Sequence, residues 1–167
     1  MVVNEVQSFR GSVLMFGILL LELPTLILVG VLWQTGKLGD DGPFVMGLVV
    51  GMMILIFWLL MAIRLELRLT TDGLSYRNPP FLNRWTKINK EEMETIQVKK
   101  MSGILEYGGV GVRFSKKTRA YIFFADYVVE VQLPKRKLVF STHKPREMEE
   151  MILLWKENKN LNTENYG

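Results

Sequence analysis

The sequence contains no cysteine. Disulfide stapling, thiolate chemistry and Cys-ligated zinc or iron–sulfur centres are thereby excluded. It contains one histidine, His143, which leaves no His-rich metal site and makes a Ser/His triad implausible, although a lone His can still act as a base. Charge is absent over long stretches. Residues 43–63, PFVMGLVVGMMILIFWLLMAI, carry none, and residues 12–33, SVLMFGILLLELPTLILVGVLW, carry only Glu22. Both gaps lie in the first 63 residues, which hold Arg10 and Lys37 against Glu5, Glu22, Asp40 and Asp41. From Arg64 onward the balance is basic, 19 Lys and Arg against 13 Asp and Glu. A chain of 167 residues accommodates one ordinary domain and a membrane anchor.

As a helix, 12–33 is about 33 Å long, enough to cross a hydrocarbon core of roughly 30 Å. The uncharged 43–63 also meets the length rule. The polar turn 34–42 between them is short, so the helices are expected to be antiparallel neighbours. The first run is too long for a signal-peptide core and lacks a basic cluster before it, which makes it a retained span. Arg10 precedes the first span, and Arg64 and Arg68 follow the second. The turn carries Lys37 against Asp40 and Asp41. Both termini are therefore expected on the cytoplasmic side of the inner or plasma membrane, with 1–11 a short segment there.

Two features within the spans stand out. Gly47 and Gly51 have G-x-x-x-G spacing, which clears one helix face for close approach, within the hairpin or in self-association. Glu22 sits near the middle of its span, two residues before Pro24. A carboxylate in hydrocarbon is costly, so it must be neutral, face protein or reach water. It is either a functional group, a proton site or subunit contact, or a tolerated neutral residue at a kink.

After Arg64 the period changes from helical to alternating. ELRLTT and LSYR flank Asp72-Gly73 as a hairpin. Asn78-Pro79-Pro80 ends the second strand, because proline cannot serve a central ladder. RWTKI, METIQVKK, the run through Val110, Val112 and Phe114, TRAYIFF, YVVEVQL and LVFST are further strands with turn residues between them. Met148, Met151, Ile152 and Trp155 share one face of a closing helix from Pro145 to about Asn158, followed by a polar tail, 159–167. Ser141, Thr142 and His143 offer groups to cap that helix.

About seven short strands followed by one amphipathic helix resemble the pleckstrin-homology (PH) fold. With two preceding spans, the layout is similar to small bacterial membrane proteins that carry PH-like domains. The stretches bearing this likeness are EVQSFR at 5–10, LTTDGLSYRNPPF at 69–81, EYGGVGVRF at 106–114 and FSTHKP at 140–145. The resemblance implies a membrane hairpin followed by an α+β, mostly β domain over 64–158. That domain would be an antiparallel barrel or sandwich capped by its C-terminal helix. It implies no catalytic residues.

Alternate turns of successive hairpins share a sheet edge. The turns at 115–118 and 134–137 therefore bring Lys116, Lys117, Arg119, Lys135, Arg136 and Lys137 onto one cationic rim. Facing a bilayer, each would add on the order of 1 kcal/mol with anionic lipid; otherwise the rim is a solvated hairpin edge. The Gly-rich 107–111 lacks the Lys-Ser/Thr of a phosphate loop and the helix of a dinucleotide fingerprint, and is expected to be a bulge or close backbone approach in a strand. Phe81, Arg84 and Trp85 beside the prolines either meet a partner or interface, or cover an open barrel end. No acid–base pair or nucleophile–base set is recognisable, so neither catalysis nor a cofactor is expected. The anchor and the lack of a readable motif argue against nucleic acid. The expected function is a membrane-anchored module binding anionic lipid headgroups or a protein partner. The alternatives are an accessory subunit or homo-oligomeric scaffold of a membrane complex, and a small transporter or channel component using Glu22.

The full-length chain should sediment with membranes after cell breakage and resist carbonate extraction. Recovery in the supernatant without detergent is the result that contradicts the two spans.

Overall fold

A computed structural model describes residues 2–164, with backbone alone described at 104–105 and 158–164. It divides into two units, Ser8–Arg64 on one hand and Met1–Gln7 with Leu65–Gly167 on the other.

The first unit is a helical hairpin, α1 (Val13–Gln34) and α2 (Gly42–Ala62). Both helices are long and apolar enough to span a membrane. Apolar residues cover them all round, and α1 buries none of its residues. The helix α1 runs unbroken through Pro24 and stops at Gly36, which takes a left-handed φ of 71°. The Lys37 N–H then reaches back to the Leu32 carbonyl at 3.0 Å, satisfying an otherwise orphaned acceptor. At the other end the Arg10 Nε donates to the Met61 carbonyl (3.2 Å) and the Ser12 hydroxyl to the Phe9 carbonyl (2.6 Å). Gly42 lies against the indole of Trp33, where a Cβ would collide with the ring.

Among the described residues the second unit holds nine strands in two sheets. The first sheet has the order β1-β2-β3-β4, from Val3–Ser8, Arg64–Thr70, Gly73–Asn78 and Leu82–Asn89. The second has the order β5-β8-β9-β7-β6, from Thr95–Lys100 (β5), Gly111–Phe114 (β6), Thr118–Ile122 (β7), Tyr127–Leu133 (β8) and Arg136–Thr142 (β9). This corrects the expectation of about seven strands in a barrel or an all-antiparallel sheet. The sheets do not close, and β7 runs parallel to β9. The chain leaves β7 and crosses to β8 on the far side of β9, so β7 and β9 both run opposite to β8.

The helical hairpin is also not simply N-terminal to the β domain. Residues 3–8 form β1, so α1 and α2 are inserted between the first two strands of the first sheet. The closing helix α3 (Pro145–Glu164) runs past Asn158 into the expected tail; residues 165–167 of that tail lie outside the described residues.

Alternation in β2 sends Leu65, Leu67 and Leu69 into the core with Leu74 and Tyr76 of β3 and Ile88 of β4. Across the sandwich, the Tyr76 ring lies 4.8 Å from Phe140 and 5.5 Å from Tyr121, and the last two stack at 5.3 Å. The opposite face of the second sheet is buried as well. Ala120, Ile122, Val128 and Val139 pack beneath Met101 and Tyr107 of the β5–β6 connection. Met148, Met151, Ile152 and Trp155 of α3 are buried, as the periodicity predicts, and the Trp155 indole donates to the Thr70 carbonyl at 3.0 Å.

The β2–β3 hairpin pairs Thr70 with Gly73, leaving Thr71 and Asp72 as the loop. Gly73 therefore belongs to a strand instead of the turn. Its role is close approach, since a Cβ there would collide with the Ile88 carbonyl oxygen.

The position of β1 makes residues 3–8 part of the folded β sandwich. Joining Ser8 to Arg64 through a short turn should give a folded, detergent-free sandwich with cooperative thermal unfolding. Residues 64–167 alone should fail that measurement.

Candidate functional site

Three groupings of polar side chains arise in the β unit. The first is made by β1. Its inward positions are Val3, Glu5 and Gln7, with Glu5 only 6% and Gln7 4% exposed. A buried carboxylate needs hydrogen bonds to offset its lost hydration. Glu5 Oε1 accepts from the Gln7 amide (2.8 Å) and the His143 backbone N–H (2.7 Å), and Oε2 from the Thr142 hydroxyl (2.6 Å). Gln7 in turn donates to the Ser141 carbonyl and accepts from the Ser141 hydroxyl, both at 2.6 Å. Ser141 and Thr142 thus serve β1, and Thr142 Oγ1 also accepts from the Lys144 N–H (3.0 Å) at the start of α3. His143 contributes its backbone to this corner and exposes its side chain.

The second grouping centres on Glu130, 6% exposed on β8. Its Oε1 meets Lys137 Nζ (2.7 Å) and the Tyr107 hydroxyl (2.6 Å); its Oε2 accepts from the Gln97 amide (3.0 Å). Burial pushes this carboxyl upward, but the hydrogen bonds from Lys137, Tyr107 and Gln97 outweigh it and hold the group at about 2. Burial, then Glu130, pushes the Tyr107 phenol well above its ordinary value. Nearby, the Lys99–Glu106 contact (2.7 Å) and the Ser102 N–H on Glu106 (2.6 Å) tie the β5–β6 connection to β5. Gly108 and Gly109 take left-handed φ of 85° and 98° in the turn before β6. The Gly-rich run is therefore a loop ahead of the strand, and only Gly111 lies within β6.

The third grouping is the basic rim. The parallel register sets Thr118 beside Lys137, and the Lys137 N–H donates to the Lys117 carbonyl at 2.8 Å. The turns before β7 and before β9 therefore lie side by side. Lys116, Lys117 and Lys135 are exposed, whereas Arg119, Arg136 and Lys137 are half-buried. Lys137 is occupied by Glu130, and Arg119 lies over the exposed Phe114 ring, 5.7 Å from its centroid. The Tyr121 phenol is raised by burial and then by Tyr76, while Arg119 and Arg136 pull it the other way, so both guanidinium groups act on one ring.

The remaining candidates are dispersed. A Cβ at Gly47 or Gly51 would meet nothing within 4 Å, so this face of α2 does not pack within the hairpin. Glu22 is half-exposed on α1. Among the described residues no group of three or more His, Asp or Glu is placed to hold a metal. Sequence reasoning missed the Glu5 and Glu130 clusters, whose members lie up to 138 residues apart in the chain. No family model matches the chain, and neither a curated protein nor a solved structure does.

The ordinary value for Glu130 is 4.5 and its folded value is lower. Its contribution is therefore fully present above about pH 4.5 and lost as the pH falls toward 2. Unfolding midpoints measured across that window should drop for the native chain and drop less for Glu130→Gln. At neutral pH Glu130→Gln should cost on the order of 1–3 kcal/mol, because it leaves Lys137 without its partner.

Proposed function

We propose that this chain is a membrane-anchored, PH-like binding module of the cytoplasmic face, with α1 and α2 as its spans and no catalytic role. Two helices apolar on every side are untenable in water, which supports a bilayer location. The excess of basic residues flanking the hairpin over those in its turn supports cytoplasmic termini.

The basic rim is the binding surface in this reading, and the observation that carries it is the side-by-side placement of the 115–117 and 134–135 turns. Its ligand is anionic. Lipid headgroups and an acidic protein surface both meet that requirement. A second reading, an oligomeric scaffold, is favoured by the open Gly47–Gly51 face of α2.

Crosslinking and affinity purification of the full chain from native membranes test both. Reversing Lys116, Lys117 and Lys135 to Glu should abolish recovery of an acidic partner, and rising salt should weaken it. Recovery unchanged by the reversal contradicts the rim. Copy-to-copy product lost on Gly51→Leu and indifferent to the reversal supports the scaffold instead.

A further inference from the structure

The β3–β4 turn of the first sheet and the adjoining part of β4 carry two exposed aromatic residues that neither the core nor the basic rim uses. Phe81 is 66% and Trp85 43% exposed. Both are large apolar groups whose exposure is costly in water, and nothing in the core requires them there. Arg84 is exposed beside them. Arg77 lies over the Trp85 ring, 4.9 Å from its centroid, and is fixed there by Glu66 at 2.7 Å. Trp85 is thus held in one orientation by a neighbouring cation on β3.

The register sets where this turn lies in its sheet. Glu66 pairs with Arg77, and Thr70 pairs with Gly73. The start of β2 and the end of β3 therefore share one end of the sheet. Asn78 pairs with Leu82, so Pro79, Pro80 and Phe81 turn at that same end. One step beyond the Glu66–Arg77 pair sets Asn78 level with Leu65, and one more sets Pro79 level with Arg64. Arg64 is the first residue of β2, two residues after α2 ends at Ala62. The turn is separated from β2 by β3 alone, roughly 7 Å across the sheet. The chain enters β2 from the apolar helix α2 at this end.

We propose that Phe81 and Trp85 form an interfacial foot that inserts among the headgroups of the bilayer the chain itself spans, with Arg84 on anionic phosphate. This rests on α1 and α2 being spans. The chemistry is that of membrane boundary belts, where an aromatic ring buries its apolar body and a cation meets phosphate. The same composition would be a liability on a surface facing bulk water. The foot holds the β3–β4 edge of its sheet against the lipid.

The absence of cysteine makes a label test direct. The full chain is reconstituted in nanodiscs of phosphatidylcholine with phosphatidylglycerol, carrying one environment-sensitive fluorophore at Phe81→Cys, Lys135→Cys or Ile54→Cys. Spin-labelled lipid quenches at the depth of the label. The Phe81→Cys label should lose about half its fluorescence to lipid spin-labelled near the headgroup, be shielded from aqueous iodide, and blue-shift. The Lys135→Cys label should do the opposite. Adding Arg84→Glu should reduce the quenching at position 81 in anionic discs. If the Ile54→Cys label is quenched by lipid while the Phe81→Cys label behaves like the Lys135→Cys label, the foot is overturned and the spans stand. If the Ile54→Cys label is not quenched, the spans fail and the foot with them.

Discussion

The β unit depends on a carboxylate that has no water to face. Glu5 is buried at the junction of β9 and α3, and its three donors come from Gln7, Thr142 and the His143 backbone. A buried carboxylate without partners costs several kcal/mol, whereas a fully bonded one fixes geometry at little net cost. Gln7 doubles the constraint by pairing reciprocally with Ser141. Through these bonds β1 is bound to a corner made by residues 141–143. The chain therefore enters α1 from a strand that is already anchored and returns from α2 into the neighbouring strand. The two strands that flank the hairpin in the chain are thus neighbours in one sheet.

The fold was legible wherever apolar periodicity and burial agree. Met148, Met151, Ile152 and Trp155 repeat at helical spacing and are all buried in α3. Leu65, Leu67 and Leu69 alternate and all face the core. β1 was illegible because its pattern has the opposite phase. Its apolar Val6 points outward at 65% exposure, while the polar Glu5 and Gln7 point in. A reader of hydrophobic alternation has no reason to turn that strand inward; only partners more than 130 residues away make it stable. The open sheets were hidden for a related reason. Local turn signals report hairpins, whereas the β7–β9 pair is parallel and joins strands that a whole intervening strand separates.

Legibility of the candidate site divides the same way. The meeting of the two basic turns follows from strand direction alone: β7 and β9 both run opposite to β8, so their starts share an edge whether or not they are neighbours. What strand direction does not give is how each cation is used. Lys137 alternates to the face where Glu130 is buried and is held there, while Lys116 and Lys135 remain in solvent. Gly73 makes the converse point. Asp72-Gly73 reads as a turn, yet the glycine is needed one step later, where the backbone of β4 leaves no room for a Cβ.

Two edges of the β unit differ in their exposed side chains. At the β3–β4 turn and the start of β4 they are Phe81 and Trp85 with arginine. At the start of β9 they are lysines on tight turns. Lysine is strongly hydrated and carries its charge on a flexible stem, which suits a surface that must stay in water and meet partners reversibly. Aromatic rings and guanidinium groups are more weakly hydrated and lose less on leaving bulk water. The Phe81 and Trp85 edge is therefore the less hydrated of the two surfaces, and the lysine turns are the more hydrated.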